Sequence, residues 1–207
     1  MKTPLYRFFT LGLILFLAGT AFAFLLPGLS PDRALSTFFA GEPLPALTPP
    51  VTLLTHLNSM PAMLLALLLI LGLLLARRRF REALFAAVAL LGTAGLNSLL
   101  KSLIGRPRPE GRLLEIHSPS FPSWHSATSA ALALTLWLLF VRPLPPGRRK
   151  NLLSLLLLLW PLLIGFTRLY LDVHWSSDIL AGWGLGLLIT SLAALLILPS
   201  GNDDGTP

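Results

Sequence analysis

The chain has 207 residues, of which 54% are hydrophobic and 12% charged, with a formal net charge of +7. A mean hydropathy of +0.75 is too high for a soluble domain and points to an integral membrane protein. The absence of cysteine excludes disulfides, thiolate nucleophiles and sulfur-ligated metals. The positive charge would suggest nucleic acid in a soluble protein, but here it is better explained by loops that orient membrane helices.

Six hydrophobic stretches follow in chain order, near 8–27, 50–76, 82–104, 125–142, 151–170 and 179–198. Each is close to the roughly 20 residues that a helix needs to cross the hydrocarbon core. The first follows Lys2 and Arg7, and Ala21-Phe22-Ala23 resembles a signal cleavage site. Its apolar run continues through Leu26, longer than a typical signal core, so an uncleaved helix is expected. After it, SPDRALSTFFA (30–40) starts with Ser30 and Pro31 in helix-start positions and predicts a short helix on the outer surface. The second stretch ends in the basic run ARRRFR, and the third ends in KSLIGRPRP. The fourth opens with SFPSWHSA and is followed by PPGRRK. Pro161 is expected to kink the fifth stretch without ending it. The last is entered through TRLYLDVHWSSD, and the tail GNDDGTP is expected to fray. With no internal repeat, the expectation is an all-α fold: one six-helix membrane bundle over 1–200 and a short polar tail over 201–207.

Orientation follows from the basic residues. Ten of them, Lys2, Arg7, Arg77, Arg78, Arg79, Arg81, Arg142, Arg148, Arg149 and Lys150, fall on one side of such a bundle. Six fall on the other: Arg33, Lys101, Arg106, Arg108, Arg112 and Arg168. The positive-inside rule then predicts cytoplasmic termini and outward-facing segments near 29–49, 101–124 and 168–178.

The outward-facing cations are the anomaly. Alternating topology brings Lys101, Arg108, Ser123, His125, Arg168, His174 and Asp178 from four helix ends into one layer. Any one of these alone reads as a snorkelling side chain or an interfacial residue, Trp124 and Trp175 included. Their convergence calls for a task. Lys101, Arg108 and Arg168 together match a dianionic phosphate. The N-terminus of the fourth helix, entered through Pro122-Ser123, adds backbone donors. His174 and Asp178 are four apart and share a helical face, where the carboxylate would set the imidazole tautomer. His125 remains as a second histidine, suited to proton transfer. This is an inventory for phosphoryl transfer to histidine and then to water, with the cations in place of a divalent metal. No metal and no other cofactor is expected.

Lys101-x6-Arg108-Pro109, Pro122-Ser123-Trp124-His125 and Thr167-Arg168-x5-His174-x3-Asp178 resemble the three signature motifs of the type-2 phosphatidic acid phosphatases. These lipid phosphate phosphatases are related in their active site to the vanadium haloperoxidases. The resemblance implies His174 as nucleophile, Asp178 as its partner and His125 as the acid for the leaving group. It also implies Lys101, Arg108, Ser123 and Arg168 as phosphate ligands, together with the backbone N–H at Trp124. Two residues depart from the family pattern. Thr167 stands where Ser is usual and keeps the hydroxyl. Trp124 stands where Gly is usual, and its side chain is expected to point away from phosphate. Beside these motifs, Arg106, Glu110, Arg112, Glu115 and His117 read as solvated loop residues, with contact to a second phosphate or a headgroup as the alternative for Arg106 and His117; His56 and Asn58 read as interhelical hydrogen-bonding residues, with lining of the pocket as their alternative.

The function expected is hydrolysis of a lipid phosphate or polyprenyl pyrophosphate on the extracytoplasmic face of a bacterial cytoplasmic membrane. Undecaprenyl pyrophosphate, phosphatidic acid and phosphatidylglycerophosphate all suit such a site. The partners are the substrate and membrane lipids, with no nucleic acid; the sequence leaves the oligomeric state open. A phosphotransferase using the same intermediate, and a non-catalytic lipid-phosphate binding or transport protein, are the competing readings.

Overall fold

The computed structural model describes residues 2–27, 30–41 and 45–199, and the expected polar tail at 201–207 lies outside them. The described residues form eight α-helices: α1 (Lys2–Thr20), α2 (Asp32–Gly41), α3 (Thr48–His56), α4 (Met60–Ala76), α5 (Phe80–Ile104), α6 (Trp124–Leu136), α7 (Arg148–Tyr170) and α8 (Ser176–Ile197). Two of them are prolonged by π-helical turns, α1 by Ala21–Leu25 and α6 by Trp137–Val141. Among the described residues five helices are long and apolar enough to span a bilayer, and the bent pair α3–α4 makes a sixth when counted as one span.

That sixth span is where the expectation of six plain helices needs correction. The stretch 50–76 is broken, with α3 and α4 bent by 43°. Leu57, Asn58 and Ser59 close three-residue turns onto Leu54, Thr55 and His56. Ser59 is then extended, and Pro61 follows with no N–H to continue the ladder. The break places Asn58 against α6, where its Nδ2 donates to His125 O at 3.1 Å and Thr128 Oγ1 at 2.9 Å. The expected outer helix at 30–40 is present as α2. The helix α7 runs through Pro161, whose carbonyl accepts from Trp183 Nε1 at 3.0 Å.

Helix α8 is the centre of the bundle, and small residues put it there. A Cβ on Gly184 would lie 2.3 Å from Phe16 N of α1, and one on Gly19 would lie 2.5 Å from Ala181 N. On the neighbouring face, a Cβ on Gly186 would lie 2.2 Å from Ala127 O, and one on Gly182 would lie 2.6 Å from Ser123 O. Backbones can approach this closely only without side chains, and such approach substitutes for the hydrophobic drive that lipid does not supply. The remaining core is largely aliphatic, with Leu67 and Leu74 of α4 and Phe85 and Ala89 of α5 packed with Leu134 and Leu138 of α6.

Candidate active site

Four helix ends, those of α5, α6, α7 and α8, meet with one long loop at a single end of the bundle. Helix α5 stops at Gly105, which takes the left-handed conformation (φ 65°) that a side chain would disfavour. The loop after it is folded back by its own polar groups. Ser120 N donates to Arg106 O at 2.8 Å and Ser120 Oγ to Pro107 O at 3.0 Å. Asn97 Nδ2 donates to Pro122 O at 3.2 Å, and Ser123 N to Asp178 O at 3.0 Å. This folding carries Arg106 and Arg108 over the start of α8.

His174 sits in the short turn between α7 and α8, 3% exposed. Its Nδ1 lies 3.3 Å from Asp178 Oδ2 and its Nε2 lies 3.1 Å from Arg108 Nη1. A guanidinium can only donate, so Nε2 carries the lone pair and Nδ1 the proton, which the Asp178 carboxylate accepts. Burial, followed by the charges of Arg108, Lys101 and Arg168, holds the His174 imidazole well below its usual pKa. The ring is therefore neutral at physiological pH, with Nε2 available. His125 also acts electrostatically on it. The ring of His125, in the first turn of α6, makes no hydrogen bond to the described residues and meets the Trp124 ring edge-on at 5.4 Å.

The cations are held mostly by carbonyls. Lys101 Nζ donates to Pro119 O at 2.6 Å and Ser120 O at 3.0 Å. Arg108 donates to Ser118 O at 2.7 Å, to Pro119 O at 3.1 Å and to Val173 O. Burial lowers Arg108 to about 10, with Asp178 opposing the shift and Arg112 adding to it, so it stays charged at neutral pH. Arg168 is 2% exposed, its Nη1 donates to Thr55 Oγ1 at 2.8 Å, and its Nε has no partner among the described residues. None of these three cations forms an ion pair with a carboxylate among the described residues.

Ser123 caps α6: its Oγ accepts from Ser126 N at 3.4 Å and Ser126 Oγ at 3.0 Å, which leaves its own proton to donate. The Trp124 side chain packs on the hydrophobic core cluster. The first-turn N–H groups beside it have no carbonyl within α6 to bond.

Arg106 corrects the expectation of a solvated loop residue. Its side chain is 12% exposed, and its guanidinium bonds Asp178 Oδ1 at 2.5 Å and Asp32 Oδ2 at 2.9 Å. Asp32, from α2, also accepts from Ser176 Oγ, Ser177 Oγ and Ser177 N. Burial would raise the Asp32 carboxyl, but the bonds from Ser176, Ser177 and Arg106 prevail and hold it below the usual range. No local signal in the sequence joins residues 74 apart, and Asp32 reads locally as a first-turn acid complementing its own helix. Glu110, Arg112, Glu115 and His117 are exposed, as expected of loop residues. Asn58 bonds between helices as expected, whereas His56 is exposed.

Residues 82–200 match the PAP2 superfamily. The chain belongs to that family. Phosphatidylglycerophosphatase B of Bacillus subtilis is 32% identical over 166 residues, covering 77% of this chain and 80% of that protein. The lipid A 4'-phosphatase of Bacteroides thetaiotaomicron is 35% identical over 102 residues, covering 44% of this chain and 42% of its own. The crystal structure of a transmembrane PAP2-type phosphatidylglycerolphosphate phosphatase from Bacillus subtilis superposes with a TM-score of 0.74 at 27% identity, over 95% of this chain and 96% of that one. The protein is a membrane phosphatase of the PAP2 superfamily, a phosphoric ester hydrolase.

Proposed function

We propose that the chain removes a terminal phosphate monoester from a glycerophospholipid on the extracytoplasmic face, through a phosphohistidine. The observation that carries this is the setting of His174. Its Nδ1 is held by a carboxylate, and its Nε2 faces Arg108 in a layer whose three cations form no ion pair with a carboxylate among the described residues. Counting Arg106 with Lys101, Arg108 and Arg168 against Asp32 and Asp178, four cations meet two carboxylates. The excess of two positive charges equals the charge of a phosphate monoester dianion.

In the first step the His174 Nε2 lone pair attacks phosphorus and the bond to the lipid oxygen breaks. His125 gives that oxygen its proton. Lys101, Arg108, Arg168 and the start of α6 hold the equatorial oxygens. In the second step His125 takes a proton from water, whose oxygen attacks phosphorus. The phosphorus–nitrogen bond breaks, returning phosphate and neutral His174. Asp178 stabilises the imidazolium character that His174 develops in each step.

The likeness to a phosphatidylglycerophosphatase favours a phosphatidylglycerophosphate-type substrate. The basic residues of Arg77–Arg81 and Arg148–Lys150 lie at the end of α4 and the starts of α5 and α7, at the opposite end of the spans, which supports an outward-facing site. The test is phosphate release by purified protein, with EDTA present, from phosphatidylglycerophosphate, phosphatidic acid and undecaprenyl pyrophosphate. Release from the first in preference to the third is expected. No release from any of them, or complete inhibition by EDTA, contradicts the proposal. Transfer of phosphate to an added alcohol in place of water would identify a phosphotransferase.

A further inference from the structure

The three family motifs leave Arg106 and Asp32 without a role, yet these two residues hold the most fully bonded charges at the active end. One guanidinium nitrogen of Arg106 bonds Asp178 Oδ1 at 2.5 Å and Ser177 Oγ at 2.8 Å, and the other bonds Asp32 Oδ2 at 2.9 Å. The plane of the group is enclosed by Phe24 and Trp175, each ring centre 5.6 Å from the guanidinium carbon. The second oxygen of Asp178 is engaged by His174 Nδ1 and by Trp175 N at 3.0 Å. Asp32 in turn bonds the first two residues of α8, Ser176 and Ser177.

We propose that Arg106, clamped between Asp32 and Asp178, is a positioning residue for the nucleophile, and that through it the outer helix α2 becomes part of the catalytic centre. The proposal rests on the phosphohistidine reading above. Asp178 is 0% exposed and bonds a neutral imidazole, so it needs a counter-ion to remain a carboxylate. Arg106 supplies that charge and fixes the rotation of the carboxylate, which in turn fixes the plane of the His174 ring and the direction of Nε2. Both of its terminal nitrogens bond carboxylates, whereas those of Arg108 bond neutral groups and Arg168 Nη1 bonds a hydroxyl, so Arg106 holds the machinery and leaves phosphate to the other cations. Asp32 completes the arrangement by neutralising Arg106 and securing the first turn of α8, which carries Asp178.

The experiment compares wild type, Arg106→Gln, Arg106→Lys and Asp32→Asn in phosphate release, with orthovanadate inhibition as the probe of the phosphate site. In Arg106→Gln, kcat is expected to fall about 100-fold while KM and the vanadate inhibition constant stay unchanged, the scale seen when a group that orients a catalytic ligand is lost. Arg106→Lys should recover about tenfold of that loss by restoring the charge without the fork. Asp32→Asn should lower kcat about tenfold, again with KM unchanged. A rise in KM and in the vanadate constant with kcat preserved would overturn the proposal, because it would make Arg106 a phosphate ligand. Full kcat in either Arg106→Gln or Asp32→Asn would also overturn it. If Arg106→Gln does not fold, the near-isosteric Asp32→Asn decides the question. A wild type inactive on every lipid phosphate would defeat the functional reading instead, so the two failures are distinguishable.

Discussion

The two sides of the His174 ring are built on opposite principles. On the Nδ1 side, Asp178, Arg106, Asp32, Ser176 and Ser177 form a set in which every charge has a partner at hydrogen-bond distance. On the Nε2 side, Lys101, Arg108 and Arg168 lean on carbonyls and hydroxyls, with no carboxylate among the described residues paired to any of them. Buried charges are costly unless paired, so the first side is complete as it stands and the second is complete only with an anion. One side sets where the nucleophile points, and the other sets what it will attack. Substitutions on the first side should therefore act on kcat, and those on the second on phosphate affinity as well.

The sharpest way to break this contrast is at the ring itself. His174→Ala should abolish phosphate release, a loss of about 10⁴-fold or more in kcat, as for other covalent nucleophiles. Retention of activity would eliminate the phosphohistidine. Next in size, His125→Ala should cost about 10²- to 10⁴-fold on a lipid substrate, the usual range for a general acid. With an aryl phosphate, whose leaving group needs no proton, the first step should be nearly spared. An equal loss of the phosphorylation rate on both substrates would remove His125 from that role. Arg168→Gln should raise the vanadate inhibition constant, in contrast to Arg106→Gln; equal behaviour of the two variants would erase the distinction between the sides.

The pH dependence gives a finer test. Because His174 is held below its usual value near 6.5, its reactive neutral form persists above that pH and is lost as pH falls through the lower, native value. The acid limb of kcat/KM, corrected for ionisation of the substrate phosphate, should therefore lie below pH 6.5. A limb above 6.5 belonging to His174 would contradict the buried, cation-flanked setting. The smallest effect is expected at Trp124→Gly. The ring packs on the hydrophobic core, so its removal should lower the thermal midpoint while leaving kcat within a few-fold of wild type.

Much of this site was legible from residue types and spacing. Motif order carried Lys101, Arg108, His125, Arg168, His174 and Asp178 to one layer, because alternating spans must return to the same face. Local pattern could not show the break at Leu57–Ser59, since an apolar run of that length satisfies the span rule with or without a bend. Nor could it distinguish Arg106 from Arg112, two loop arginines six residues apart, of which one is enclosed and the other exposed. Their difference comes from Asp32, which is distant in sequence and close in space.

The sequence by itself determined that the chain lives in a membrane, which stretches are apolar enough to cross it, which family motifs it carries and which residue types gather at one end. Those properties follow from hydropathy, helix length and the period of the chain, all of which are local. Tertiary structure alone decided which of the charges are paired. It did so because glycine faces on α8 let α1 and α6 approach to backbone contact, and because α2 folds over the start of α8 and brings Asp32 to Arg106. Whether a buried charge ends as scaffold or as binding site depends on that long-range pairing, which no local pattern encodes.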